Sequence, residues 1–383
     1  MKKIKSFFTN KHTVISLYFI LSLIVSIKQY LTHSINNYLI FKYTFWHTIN
    51  LQNLYNNYPN EYLDCNHYGP FFAVIIFPFA LLPDWLGSLT WNLFNTALLI
   101  WGIFKLPLAT KQQVVIAWIC VHEFLTAILS FQFNVGITGL ILLSFIYLEK
   151  QKVFLAALAI MVGFFVKLYG VVGMAFFFFI EKKLKFLASL AIISILFFCL
   201  PMLFSNPKFV LASYVDWYNS LIFKSSLNET GVMTDISFFG FIRKTTGVRV
   251  NVLYGCLTAS LFLAICLLRI KFYGFLNFRL LILCYLLLCI VLFNTNVESP
   301  TYIIAFLGVG IWFIIVERNV YSIFLLVFAL ILTSLSPSDL FPKFLRENFV
   351  SPYALKALPC ILIWLDITYR LVFTNNFNKI ECK

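Results

Sequence analysis

Between Thr32 and Gly69 the chain gathers Glu61, Asp64, His33, His47 and His67 among tyrosines and asparagines, and apolar runs crowd in after it. A carboxylate at a membrane surface can take the proton of a hydroxyl that attacks a sugar anomeric carbon. It must come within about 3 Å, and the assistance is typically worth roughly 10²–10⁴-fold in rate. In EYLDCNHYGP (Glu61 to Pro70), Asp64 is the first candidate for that base, because only a few residues separate it from the next apolar run; Glu61 is the second. Both also fit solvated loop charges or helix caps. His67, with Tyr68 beside it, fits either a donor to a leaving phosphate or sugar hydroxyl, or a hydrogen bond to a loop carbonyl.

A leaving phosphate needs fixed positive charge to meet it, and the arginine fork suits that task. Lys167, Arg243, Lys343 and Arg346 are the candidates. Lys167 stands between VFLAALAIMVGFF and YGVVGMAFFFFI, where it either holds a lipid phosphate or snorkels to headgroups. Glu123 lies inside an apolar stretch, where a charge costs roughly 2.5–3.5 kcal/mol on insertion scales, so it must face protein or a wet cavity. With Gln132 and Asn134 it lines an acceptor side or makes a helix-packing hydrogen bond. Glu298, near Tyr302, is a similar candidate for sugar hydroxyls. His33, His47 and His67 lack metal-ligand spacing, and the nine cysteines show no CxxC, with only Cys65 in an outer loop. No cofactor is expected, and divalent metal has no support from spacing.

The elements that must position these groups are membrane helices. With 61% hydrophobic and 11% charged residues and a mean hydropathy of +0.89, the chain is far from the roughly 25% charge of soluble domains. Apolar runs recur near 13–31, 70–83, 86–104, 112–130, 135–148, 153–166, 168–180, 186–204, 251–268, 276–293, 301–316, 320–335 and 353–371. The run 70–83 is short and carries Pro78, so it reads as re-entrant or interfacial; the rest give about twelve crossings with both termini cytoplasmic. On that topology 18 of the 29 Lys and Arg fall inside, starting with Lys2, Lys3, Lys5 and Lys11. The net charge of +14 thus follows the positive-inside bias and calls for no nucleic acid. Two outer segments are long, about 32–69 and 205–250. Within the first, Tyr38 to Tyr55 has the spacing of an interfacial helix. The apolar stretch Val14 to Ile27 lacks a small-residue cleavage site and reads as a retained first helix, and Cys382 is not placed for prenylation.

Several short motifs stand in a fixed order: HYGPFFAVIIFPFALLPDWLGSLTWNLFN (His67 to Asn95), FQFN (Phe131 to Asn134), GFFVKLYG (Gly163 to Gly170) followed by EKKLK, ISFFGFIRK (Ile236 to Lys244) and NVESPTYIIAF (Asn296 to Phe306). Together they resemble glycosyltransferase family 87, of the GT-C superfamily of enzymes that use polyprenyl-phosphate sugars. The resemblance implies a single GT-C-like transmembrane domain over 1–383, all-helical and multi-pass in a bacterial inner membrane. It also implies transfer of a mannosyl-like unit from a polyprenyl phosphate to a lipid or glycan acceptor on the outer face. In such enzymes an acid in the first outer loop serves as base. Here that position falls on Asn37, an amide that takes no proton at neutral pH, and Asp64 or Glu61 is the replacement. Gly69-Pro70 stands where two prolines are usual, and Leu168 where a proline often follows the lysine. Two other functions fit the same features: a flippase of lipid-linked sugars, although the paired hydropathy halves common in transporters are missing, and an inactive homologue that only binds lipid-linked sugar.

Overall fold

A chain this apolar must satisfy its backbone hydrogen bonds internally, and it does so as helix. The structure, a computed structural model, describes residues 8–229, 235–294 and 297–377. Lys2, Lys3, Lys5, Asn296 and Cys382 lie outside the described residues. Helix accounts for 77% of the chain and no strand is found among the described residues. In order the helices are α1 (Lys11–Leu31), α2 (Asn36–Ile49), α3 (Phe72–Ala80), α4 (Asp84–Lys105), α5 (Thr110–Leu129), α6 (Asn134–Glu149) and α7 (Val153–Lys167). A 3-10 helix (Tyr169–Phe179) follows, then α8 (Lys183–Cys199), α9 (Pro207–Glu229), α10 (Phe238–Thr246), α11 (Val252–Leu267), α12 (Leu276–Leu292) and α13 (Tyr302–Ile315). The chain closes with α14 (Val320–Phe328), a π-helical stretch (Ala329–Leu335) and α15 (Leu358–Phe373).

Helix boundaries follow local chemistry. Ser237 caps α10 by accepting from the Gly240 N–H at 3.1 Å, and Gly247 ends it at φ +74°, where a Cβ is disfavoured. Asn319 and Ser322 form a reciprocal capping box that starts α14.

Among the described residues, three helical segments are long and apolar enough to cross a membrane: Lys11–Leu31, Thr110–Leu129 and Lys183–Leu203. A fourth is reached if Lys343–Val350 and Leu355–Phe373, bent by 92°, count as one span. The helical membrane character expected from sequence is present, and the count of twelve is not established. The run 70–83 becomes α3, nine residues long, or about 13.5 Å of rise, well short of a bilayer core. The tract 205–250, expected as a long outer loop, is largely α9 and α10. Its helical pattern is diluted by polar residues: Leu211, Val215, Tyr218 and Ile222 form an exposed stripe at helical spacing, while Val210, Ser213 and Trp217 are buried.

The chain divides into two compact units. The first comprises His12–Pro107 and Ala127–Lys224. There α4 and α6 approach so closely that a Cβ on Gly139 would lie 2.5 Å from the backbone of Leu98, and one on Gly102 would lie 3.0 Å from the Leu142 Cβ. Polar side chains stitch the same unit. Ser22 and Thr96 hydroxyls meet at 2.5 Å, and Asn92 Nδ2 donates to Ser26 Oγ at 3.0 Å, the kind of interhelical bond that replaces hydrophobic drive in lipid.

The second unit comprises Met1–Lys11, Leu108–Thr126 and Ser225–Lys383. Its core is α12 and α13, almost wholly buried. Asp366, expected inside the last apolar run, accepts from Trp312 Nε1 at 2.8 Å and from Arg370 Nε at 2.7 Å, which is how α15 carries a buried carboxylate.

Replacing Gly139 by valine should force α4 and α6 apart. The expected cost is about 1–3 kcal/mol, typical of overpacking, read as a lower thermal midpoint in detergent. Gly274→Ala, where a Cβ meets nothing within 4 Å, should leave the midpoint in place.

Candidate functional site

Helix α7 stops at Lys167 because Leu168 adopts φ +61°, closing the last turn with its N–H 2.9 Å from Phe164 O. The 3-10 helix then folds back on α7 at two glycines: a Cβ on Gly163 would stand 2.9 Å from the Gly170 Cα, and one on Gly170 would stand 2.2 Å from Ile160 O. Lys167 therefore sits at a hinge between two short helices, as its surroundings in sequence suggest. A proline at 168 is excluded by that backbone, since its ring holds φ near −65°.

The loop from Glu61 to Pro70 is fixed against that hinge. The Gly69 N–H donates to Val166 O at 3.0 Å, and a Cβ at Gly69 would lie 2.2 Å from Phe165 O, so only glycine permits this approach. Asn66 and Tyr68 close a turn, with the Tyr68 N–H donating to Asn66 Oδ1 at 3.0 Å. Trp217 Nε1 donates to His67 O at 3.0 Å, and Tyr55 donates its hydroxyl to Tyr68 O at 3.0 Å. Upstream, Asn36 clasps Leu63 through two 2.8 Å bonds, one in each direction. That clasp ties the residue before Asn37 to the residue before Asp64, whose backbone is left-handed at φ +72°.

Three of the sequence motifs converge here. Lys167 Nζ donates to Asn134 Oδ1 at 2.8 Å, and Asn134 Nδ2 donates to Gln132 Oε1 at 2.8 Å. The Phe133 N–H donates to the Tyr68 hydroxyl at 3.0 Å, and the Lys167 ammonium lies 5.4 Å from the Tyr68 ring centre and 5.2 Å from that of Tyr169. The lysine is thus set by an amide and two aromatic faces; such ring contacts contribute about 0.5–2 kcal/mol each.

The acidic side of the loop is arranged differently. The Asp64 carboxylate, 54% exposed, accepts from the Cys65 N–H at 2.8 Å and lies 4.0 Å from His67 Nε2. Burial, with Lys224 and Lys167 adding to it, lowers the His67 pKa to about 4 against the opposing pull of Asp64, so the ring is neutral at neutral pH. Glu61 is engaged elsewhere, 2.7 Å from Nε2 of the buried His47. Burial holds His47 below its ordinary pKa even though the hydrogen bond and charge of Glu61 favour the imidazolium. Of the two loop carboxylates, Asp64 is the more open. Asn37 is committed as a donor, its Nδ2 2.7 Å from Ser130 O.

The remaining predicted residues belong to the second unit. Glu123 is fully buried and paired with Lys356 at 3.1 Å. Sequence reasoning missed Lys356: a lysine in an apolar run demands a counter-ion, but nothing local identifies one 233 residues away. Lys356 also donates to Ser299 Oγ at 2.9 Å and stands 4.7 Å from the Tyr302 ring centre; the buried Tyr302 hydroxyl donates to Ile236 O. That makes Tyr302 a packing group here rather than an open sugar contact. Glu298 heads the turn Ser299–Thr301, its carbonyl accepting from the Thr301 N–H at 3.0 Å. Arg243 pairs with the buried Asp235 at 3.4 Å, a partner also missed from sequence. Lys343 lies 3.8 Å from Glu347, and Arg346 3.1 Å from Asp339, both surface pairs worth little.

A separate open cleft of about 540 Å³ in the first unit is lined by Lys42, Tyr43, Trp46 and Asn50 of and beside α2, and by Leu81, Leu82 and Pro83. Its lysine is held by Asp84 at 2.6 Å.

The sequence pattern of glycosyltransferase family 87 matches residues 66–295. That stretch begins at the Asn66 turn and takes in Tyr68, Gln132, Asn134 and Lys167. No curated protein matches the chain.

The lowered pKa of His47 sets a pH window. The folded state resists protonating this ring, so its contribution is intact above the unfolded value of about 6.5 and is lost as pH falls through the lower folded value. Thermal midpoints in detergent should hold above that pH and decline on acidification, and His47→Gln should blunt the decline. An equal decline in that variant would show that His47 is not responsible.

Proposed function

The chain belongs to glycosyltransferase family 87, and from that premise we propose that it transfers a hexosyl unit, mannosyl by the family resemblance, from a polyprenyl-phosphate donor to an acceptor hydroxyl with inversion. Membership makes it a membrane glycosyltransferase in general terms. The finer reading places the reaction on the outer face of a bacterial inner membrane, with about twelve crossings and both termini cytoplasmic. The observation that carries it is Lys167: an ammonium fixed by Asn134 and two tyrosine rings, at the hinge against which the Asp64 loop is bonded.

In this reading the Lys167 ammonium meets the donor phosphate. The acceptor oxygen attacks the anomeric carbon as its proton passes to an Asp64 oxygen. The bond from that carbon to the phosphate oxygen breaks, and the electron pair leaves with the polyprenyl phosphate. Lys167 offsets the charge that develops there, and a preorganised cation needs no rearrangement to do so. Gln132 acts by orienting Asn134, and Tyr68 by fixing Lys167 and the Phe133 backbone. Neutral His67 is suited to a hydroxyl of the sugar. Arg243, Lys343 and Arg346 are secondary to Lys167, which stands at the hinge bonded to the Asp64 loop.

Asp64→Asn should lower turnover by roughly 10²–10⁴-fold with expression preserved, measured with polyprenyl-phosphate sugars and purified protein. Glu61→Gln should cost less. Full turnover in Asp64→Asn would remove Asp64 as the base and leave the family assignment standing.

Asn37→Asp addresses the inactive-homologue reading. The amide at 37 donates to Ser130 O, which a carboxylate cannot do, so this variant should lose activity rather than gain it. A rise in activity would show instead that the acid lost at 37 had been the base.

A further inference from the structure

Asp64, Cys65 and His67 hold three different metal-ligating groups within four residues. A carboxylate oxygen, the thiol sulfur and a ring nitrogen all lie within 4.8 Å of one another. Asp64 Oδ1 is 3.7 Å from Cys65 Sγ and 4.0 Å from His67 Nε2. Around a tetrahedral zinc-class ion, with bonds of about 2.0–2.3 Å, such atoms stand roughly 3.3–3.6 Å apart. Only a small inward shift separates the unliganded arrangement from that geometry, and the Asp64 side chain is exposed.

A second observation points the same way. His67 Nε2 is buried and has no hydrogen-bond partner among the described residues, yet it lies 4.0 Å from Asp64 Oδ1 in this cluster. The other ring nitrogen, Nδ1, is 3.4 Å from Ser220 Oγ. A ring that donates through Nδ1 presents a lone pair at Nε2, the outer-shell arrangement that orients histidine ligands. An unmet buried nitrogen costs stability unless something uses it. The backbone beneath is already rigid: Asn66, Tyr68, Gly69 and Trp217 hold it on both sides of His67.

We propose that Asp64, Cys65 and His67 form a site for one divalent cation of the zinc class. Thiolate and imidazole together select zinc-like ions over magnesium or calcium, which take oxygen ligands. Three protein ligands leave a fourth position for water. On binding, the Cys65 thiol gives its proton to solvent, and thiolate and carboxylate together balance the double positive charge; Lys167 and Lys224 act against the ion from nearby. Spacing between histidines alone passes over this site, because its ligands are of three kinds. One consequence rests on the role assigned to Asp64 above: an ion on its carboxylate withdraws the base, so zinc inhibits transfer.

The test is a cobalt(II) titration of the metal-stripped, full-length protein in detergent. One equivalent should give a thiolate-to-cobalt charge-transfer band. Cys65→Ser, checked for an unchanged thermal midpoint, should lose that band and weaken zinc binding by at least about 100-fold, the upper end of what loss of an outer-shell partner costs. Ser220→Ala should weaken binding by about 10-fold. Absence of the band in the wild type, or its persistence in Cys65→Ser, would overturn the site. In the transfer assay zinc should inhibit the wild type and spare Cys65→Ser. Binding without inhibition would keep the site and count against Asp64 as base. Loss of transfer in Asp64→Asn, with no cobalt band in the wild type, would keep the base and reject the site.

Discussion

The contact on which the candidate site depends is the one between the Gly69 backbone and the end of α7. The Gly69 N–H reaches Val166 O only because residue 69 carries no side chain, and Phe165 O fills the place a Cβ would take. This single approach ties a polar loop to an apolar helix end. Tyr68 then reaches one way to the ammonium of Lys167 and the other way to the backbone of Phe133, while His67 and Asp64 follow on the same turn. The left-handed residue Leu168 serves the same end, since it reverses the chain where a continuing helix would carry Lys167 away, while Asp64 takes the same conformation within the loop.

Charge inside an apolar protein is tolerated here only in company. In the second unit Glu123 is met by Lys356, which also donates to Ser299, and Asp366 is met by Trp312 and Arg370. Breaking one partner from such a buried pair typically costs about 3–5 kcal/mol, so these groups hold structure together even without touching substrate. Lys167 is placed by the Asn134 amide and the rings of Tyr68 and Tyr169, at the hinge against which the Asp64 loop is bonded, and that placement is the basis for assigning it a ligand.

Much of this was legible in the residues. The apolar runs mark helices, the hinge at Lys167 follows from two short runs meeting at a charge, and the ordered motifs around Tyr68, Gln132, Asn134 and Lys167 meet in space. Partners distant in sequence were not legible, because periodicity reports which face is buried and says nothing of what lies against it. Lys356 for Glu123 and Asp235 for Arg243 are of this kind. Helix α9 was hidden for another reason: polar residues scattered around it dilute the apolar pattern, and only the spacing of Leu211, Val215, Tyr218 and Ile222 betrays it.

The clasp between Asn36 and Leu63 closes the neck of a 27-residue excursion, and the His47–Glu61 contact braces it one step further out. Beyond that brace the exposed Asn56 and Asn57 form the crown of the excursion. The crown lies between fixed points, since Tyr55 donates to Tyr68 O and Tyr58 to Asn53 O, and doubling a loop there costs only about 0.6 kcal/mol in closure entropy. The crown is therefore where descendants of this protein are free to diversify what they dock, leaving the chemistry underneath untouched.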